Sequence, residues 1–252
     1  MIRLGIRVRA VDAEVAYARL EPILAAGAEE VAHGDDIEFA IYGDDVSNER
    51  LRALAPEILG ISRAPVEPGW ETAWHAHLEP VTVGAITIRP PWLPGEGLVV
   101  DPGDTFGLAF HPTTRLCLEL LQELPPTAMA DWGCGCGVLS VAAAHLGFDP
   151  VVAIELDPGA VATARRNGVD AHVADVTDNP PWARTVVGNL TAALIGNMTE
   201  IAAPDGPVTM LVSGVISLYA DVPAAVFAPH GFTERERREL DGWAAIILER
   251  VA

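Results

Sequence analysis

Ala130-Asp131-Trp132-Gly133-Cys134-Gly135-Cys136-Gly137-Val138-Leu139 decides the fold of this chain. The stretch opens as a strand and closes as a helix, with glycine at alternate positions 133, 135 and 137 between them. Glycines so spaced let the backbone turn sharply, take positive φ and approach a ligand that a Cβ would hold off. Val138, Leu139, Val141, Ala142, Ala143 and Leu146 then recur at spacings that predict a buried helix. Its first N–H groups and positive dipole end suit an anion such as a carboxylate.

Spacing separates the nucleotide-binding families. A G-x-G-x-x-G fingerprint starting at Gly133 needs glycine at 138, where valine stands, and no Gly-Lys-Ser/Thr follows for a P-loop. Asp131, just ahead of the loop, would repel a pyrophosphate and attract a ligand bearing an amino group and a sulfonium. The pattern therefore points to S-adenosylmethionine, with Asp131, Gly133, Cys134 and Gly135 as cofactor-binding candidates.

The residues after the loop extend the pattern. Val151-Val152-Ala153-Ile154 reads as a buried strand ending at Glu155-Leu156-Asp157-Pro158, about twenty residues after the loop, where a carboxylate can hold ribose hydroxyls. Ala160 to Arg166 predicts a helix stopped by Asn167-Gly168. Ala171 to Ala174 delivers Asp175, placed for an adenine amino group. For Glu155 and Asp175 a helix cap or a loop carboxylate is the alternative. Thr185 to Gly188 ends at Asn189-Leu190-Thr191, and Val208 to Val212 forms a fifth strand. Strands ending at Asp131, Glu155, Asp175 and Asn189 converge on one crevice of a parallel sheet. Thr233 to Leu240 and Trp243 to Val251 flank Asp241-Gly242, a hairpin turn. The whole is an α/β chain with a Rossmann-like, doubly wound sheet closed by a C-terminal antiparallel hairpin, the class I methyltransferase layout.

Composition agrees. Half of the 252 residues are hydrophobic, enough for a catalytic domain of about 150 residues and a smaller partner. The longest apolar runs fall short of the roughly 18 residues of a membrane span, and the first residues lack a signal-type apolar core. Cys117, Cys134 and Cys136 fit a reducing compartment, so a cytoplasmic location is expected, and the spacing of the last two does not suit a metal site. The formal charge is −19, and all sixteen cations are arginine. Such a body repels phosphate backbones, so the expected partner is a basic protein and not nucleic acid.

Residues 1–60 read as a separate α+β module. Ile2, Leu4, Ile6 and Val8 alternate as in a half-buried strand, Asp12 caps a helix ending at Gly27, and Ile37 to Tyr42 forms another strand. Ser47 opens a second helix with Leu51, Leu54, Ile58 and Leu59 inward. This order suits a ferredoxin-like sandwich carrying twelve acidic residues against six arginines. Residues 61–97, rich in proline and tryptophan with a short strand near Ala85 to Arg89, read as a linker, and 98–252 as the catalytic domain.

Val99-Val100-Asp101-Pro102-Gly103-Asp104-Thr105-Phe106-Gly107-Leu108-Ala109-Phe110-His111-Pro112-Thr113-Thr114-Arg115 resembles the D/E-P-G-x-A-F-G-T-G-x-H-x-T-T signature of ribosomal protein L11 methyltransferases. Motif order and length extend the resemblance along the chain, including a linker like Trp70-Glu71-Thr72-Ala73-Trp74 and an Asn-Leu segment like Asn189-Leu190. It implies methyl transfer from S-adenosylmethionine to lysine ε-amines or the N-terminal α-amine of L11, by an enzyme expected to be monomeric. It also implies that Phe106, Gly107, His111 and Thr114 wall the site opposite Asp131, Gly133, Gly135, Glu155 and Asn189. Leu156 and Asp175 complete the cofactor set, and Asn189, Leu190 and His111 are the catalytic candidates. The chain departs from the family at Leu108-Ala109, where Thr-Gly is usual, at Cys136 for Ser or Thr, and at Glu155 for Asp. Its helix after Pro158 is about one turn shorter.

The implied chemistry is in-line displacement by a neutral amine, held by Asn189 and neighbouring carbonyls. Asn189 as a turn former and His111 as a helix-start residue are the plainer readings. Trp70, Trp74 and Trp92 form either a substrate platform or interdomain packing, and His75 and His77 lack identifiable metal partners. Two further functions stay open: methylation of another protein or small molecule, and cofactor binding without turnover.

Overall fold

A computed structural model describes residues 2–24, 28–66, 79–103, 111–198, 206 and 208–250. The chain divides into two units, Met1–Leu78 and Glu79–Ala252.

In the first unit, β1 (Ile2–Arg9) leads through a 3-10 turn into α1 (Ala13–Leu24), β2 (Glu29–His33), β3 (Asp36–Gly43), α2 (Asn48–Leu54) and β4 (Gly60–Pro65). The strands pair antiparallel in the order β2-β3-β1-β4, which is the ferredoxin-like order. Leu4, Ile6 and Val8 on one side of β1 pack with Ala16, Leu20 and Leu24, spaced four apart along α1, and with Phe39 and Leu51. Ser47 Oγ accepts from Arg50 N at 3.3 Å and so starts α2 as expected. Asp12 differs: it lies in the 3-10 turn and pairs with Arg9 at 2.7 Å instead of capping α1. Leu59 is exposed, because α2 ends at Leu54. The boundary expected at residue 60 cuts into β4, whose backbone bonds to β1 hold it in this unit.

The second unit begins with a small sheet of β5 (Val81–Val83), β6 (Ile86–Arg89) and β7 (Leu98–Val99). Gln122 binds this sheet to the main body: Oε1 accepts from Ala85 N at 2.7 Å, and Nε2 donates to Val83 O at 3.0 Å. Residues 79–97, expected as linker, thus belong structurally to the second unit.

Then come α3 (Pro112–Leu121), β8 (Met129–Trp132), α4 (Val138–His145), β9 (Val151–Glu155), α5 (Pro158–Arg166), β10 (Asp170–Val173), β11 (Thr185–Asn189), α6 (Ala192–Gly196), β12 (Val208–Ile216), α7 (Val222–Phe227), β13 (Thr233–Leu240) and β14 (Trp243–Arg250). The seven strands lie in the order β10-β9-β8-β11-β12-β14-β13. The first five are parallel, and β14 pairs antiparallel with both β12 and β13. This is the doubly wound sheet with a closing hairpin that the sequence implies. Asp241 at φ 50° and Gly242 at φ 81° turn the hairpin, a conformation that the Asp-Gly pair favours.

Trp132 is fully buried, donates Nε1–H to Pro181 O at 2.8 Å and packs edge-on against Trp182. Arg235 pairs with Glu249, Arg237 with Glu234 and Asp221, and Arg238 with Glu123 and Glu236, so ion pairs line the late strand. Among the described residues no helix is long and apolar enough to cross a membrane.

Candidate functional site

The site lies where the parallel strands end. Gly133, Gly135 and Gly137 all have positive φ, at 72°, 54° and 83°, so the conformation that their spacing demanded is present. The loop leans on β9: Gly133 N and Cys134 N both donate to Ile154 O, at 2.9 and 3.0 Å. It then enters α4, whose N-cap is Gly137.

Two carboxylates flank this turn, and both accept from neutral donors. Asp131, 1% exposed, accepts from Ser140 Oγ at 2.6 Å. Burial pushes its carboxyl up to about 6, the Glu155 charge adds to the rise, and Ser140 opposes it. Glu155 Oε2 accepts from Gly135 N at 3.1 Å, while Oε1 accepts from Leu156 N and Asp157 N at 2.7 and 3.0 Å. The longer side chain thereby ties the end of β9 to the glycine loop. An acidic pair satisfied by N–H and O–H groups makes this rim negative, an environment that favours a cation.

Leu156 follows the end of β9 and is 64% exposed. Asp175 lies beyond β10, and its Oδ1 accepts from Thr177 N and Thr177 Oγ1 at 2.8 and 2.7 Å. Those two bonds, the backbone one first, hold its carboxyl below the ordinary range.

Asn189 ends β11, and its Nδ2 lies 3.4 Å from Thr114 Oγ1, a weak bond that joins this strand to the first turn of α3. Its neighbour Leu190 is a packed side chain, 7% exposed, lying against Gly133 and Gly188. Chemistry from Leu190 is limited to its backbone.

His111 caps α3: Nδ1 accepts from Thr113 N at 3.3 Å and lies 2.7 Å from Thr113 Oγ1. Its ring meets Trp243 edge-on at 4.7 Å, and burial lowers its pKa. A neutral imidazole with Nδ1 accepting carries its proton on Nε2. The helix-start role named in the sequence reading is present at His111.

Phe106, Gly107 and Leu108-Ala109 lie outside the described residues, as do Trp70, Trp74, His75 and His77. Cys117, Cys134 and Cys136 are buried thiols outside any disulfide, with Cys117 pushed up to about 12 by burial and Cys134 also raised by burial and the nearby carboxylates. Among the described residues no three His, Cys, Asp or Glu side chains gather as a metal site.

Two contributors escaped the sequence reading. Asn167, read as a helix stop, also accepts from Asp101 N at 2.9 Å and donates to Asp101 O and Cys136 O, both at 2.8 Å. It binds the Asp101 turn to the glycine loop. Ser140 had a signal, a lone hydroxyl in an apolar helix one turn beyond the loop, but its partner depends on the fold.

The family model described as ribosomal protein L11 methyltransferase matches residues 51–251. The chain belongs to this family. A ribosomal protein L11 methyltransferase from Burkholderia vietnamiensis is 34% identical over 236 residues, covering 84% of this chain and 77% of the relative. One from Symbiobacterium thermophilum is 35% identical over 234 residues, covering 81% and 76%. The crystal structure of ribosomal protein L11 methylase from Lactobacillus delbrueckii subsp. bulgaricus shares the fold at TM-score 0.59 and 20% identity, over 69% of this chain and 99% of that one. As a member of the family, the chain has a class I methyltransferase sheet whose acidic, glycine-lined rim stands at the strand ends.

Proposed function

We propose that this chain transfers methyl groups from S-adenosylmethionine to amino groups of ribosomal protein L11: lysine ε-amines, and the N-terminal α-amine as well. The observation that carries the reading is the rim itself, where Asp131 and Glu155 surround a three-glycine turn and Asn189 ends the strand next to β8. Relatives bearing that enzyme's name support the acceptor.

The residues present fit the cofactor. Positive-φ glycines expose backbone that a Cβ would cover, the start of α4 offers N–H groups to a carboxylate, and the acidic pair favours an ammonium and a sulfonium. Glu155 is the ribose-binding carboxylate, while Leu156 and Asp175 serve the adenine by apolar contact and by accepting from its amino group. The family resemblance adds Phe106 and Gly107, outside the described residues, to the same cofactor set as Thr114. When bound, S-adenosylmethionine supplies an electrophilic methyl on a sulfonium.

The rest is positioning. Asn189, oriented by Thr114, presents Oδ1 to an amine N–H, and the Leu190 backbone lies beside it. A lysine amine of ordinary pKa near 10.4 reaches the site protonated, so its proton passes to water before attack. Alignment at the rim then supplies much of the acceleration. His111 shapes the start of α3 and takes no proton. Cys117 and Cys134, buried and raised in pKa, are poor nucleophiles, in keeping with direct transfer to the amine.

A basic acceptor suits a chain of charge −19, and the same charge disfavours nucleic acid. We place the reaction in the cytoplasm, by a monomer. Intact-mass measurement of L11 incubated with enzyme and S-adenosylmethionine tests the reading, with methyl increments on L11 as the expected result. Cofactor-product binding without any increment would sink methyl transfer to L11.

A further inference from the structure

Gly214 is the extra residue of a bulge in β12. Ser213 pairs with Ala245 of β14 and Val215 with Ala244, so the register slips at Gly214, which stands at φ 87°. Bulges of this kind bend a strand, and they recur beside active sites. Here the bend meets the end of β11. Asn189 pairs with Ser213, the next N–H, of Leu190, donates to Ser213 O at 2.8 Å, and the chain then crosses the face of Gly214.

The crossing is close. A Cβ on Gly214 would lie 2.3 Å from Leu190 O, 2.6 Å from its carbonyl carbon and 2.7 Å from its nitrogen. All three are backbone atoms, which cannot swing aside as a side-chain tip does. On its other side, Leu190 fills space that two more glycines leave open. Its Cδ2 stands 2.6 Å from where a Cβ on Gly133 would be, and its Cδ1 3.2 Å from the same point on Gly188. Leu190 is thus seated in a slot of three glycines, with its peptide against Gly214 and its side chain beneath the first turn of the loop. Asn189, one residue earlier, is carried by the same peptide.

We infer that Gly214 is a positioning residue for methyl transfer: its bulge seats the Leu190 peptide, which fixes both the height of Asn189 and the support beneath Gly133. This rests on the reading of Asn189 and the Gly133 turn as the two sides of the transfer site. A displacement of Leu190 would move both sides together. Gly214 would therefore affect the acceptor side and the cofactor side at once, through the Leu190 peptide.

The test uses Gly214→Ala, Gly214→Asn, Leu190→Ala and the Gly214→Ala/Leu190→Ala double variant. For each, kcat on L11, affinity for S-adenosylhomocysteine by calorimetry, and Tm are measured. Gly214→Ala is expected to lower kcat by about thirtyfold or more, since a shift of order 1 Å in a reacting pair has effects of that size. It should also weaken S-adenosylhomocysteine about tenfold by pressing Leu190 into Gly133. In the double variant, affinity should return to that of Leu190→Ala alone while kcat stays low. A residue needed only for chain folding would lower Tm without this split.

Asparagine tolerates positive φ better than alanine but carries the same Cβ. Equal losses in Gly214→Asn and Gly214→Ala are expected, and near wild-type behaviour of Gly214→Asn would overturn the inference. So would kcat and affinity within twofold of wild type in Gly214→Ala. If neither Gly214 variant folds, Leu190→Ala decides: unchanged S-adenosylhomocysteine affinity there refutes the support of Gly133. Wild-type enzyme that leaves L11 unmodified defeats the assigned acceptor, while the binding measurements still judge the slot.

Discussion

The Ser140 hydroxyl donates to Asp131 Oδ2 at 2.6 Å, both side chains being enclosed by protein. The first turn of the helix after the glycine loop thus reaches back to a strand residue two positions before Gly133. The bond partly offsets the cost of keeping a carboxylate in an apolar setting. Ser140→Ala removes the donor, so the carboxyl should rise further, the fold should lose about 1–3 kcal/mol, and S-adenosylmethionine should bind more weakly at neutral pH. Denaturant titration and calorimetry on the same variant check this, and wild-type values in both would refute it.

Asp131 also sets a direction for stability against pH. Its carboxyl is raised from 3.8 to about 6, so between those values the folded protein keeps a proton that the unfolded chain gives up. Stability from this group therefore falls as pH rises through that window, by an amount on the order of 3 kcal/mol, and is flat above it. Asp131→Asn should abolish the fall and bind cofactor poorly at every pH. Urea unfolding of both proteins at several pH values reads the effect. A wild-type to variant difference that stays constant with pH would contradict it.

Glu155 accepts three backbone N–H groups, two from its own turn and one from Gly135. Glutamine can accept on one atom only and turns an N–H₂ toward N–H donors on the other. Glu155→Gln should weaken S-adenosylhomocysteine by about tenfold to a hundredfold, in line with the loss of charge-assisted bonds. The calorimetric affinity ratio is the measurement.

Asn189 and Thr114 are expected to differ in kind. Asn189→Ala removes the amine acceptor and should lower kcat/KM on L11 by about a hundredfold, whereas Thr114→Val removes only an orienting partner and should cost about fivefold in kcat. A loss under twofold for Asn189→Ala would remove Asn189 from the reaction.

The thiols should be inert. With Cys117, Cys134 and Cys136 buried, and the first two raised in pKa by desolvation, iodoacetamide at neutral pH should leave the native protein unalkylated and active. All three should be modified after unfolding. Peptide mass spectrometry before and after urea decides.

What the sequence discloses here depends on whether a residue's demand is local. Gly133, Gly135 and Gly137 require positive φ from their own neighbours, and Asp241-Gly242 turns a hairpin with no outside help. Both were legible. Strand β2, Glu29–His33, opens with two glutamates and exists because β3 pairs with it, so nothing local announces it. Residues 61–65 read as linker for the same reason until β1 supplies their partner. At the site, Glu155 and Asn189 were legible as polar strand ends, but Glu155 reaches Gly135 and Asn189 reaches Thr114 only through strand and helix adjacency. Leu190 stands beside asparagine in the sequence, and its seat among three glycines is visible only in space.

Strand β14 lies between β12 and β13 in the sheet, although it comes after both along the chain. During translation β12 and β13 therefore leave the ribosome before the strand that separates them. Until Trp243 to Arg250 emerge, β12 has an open edge, and β13 is held away from its place. Trimming those residues would take an inner stave from the sheet. A sheet completed by a late, non-local insertion is slow to close and prone to wrong pairing while it waits.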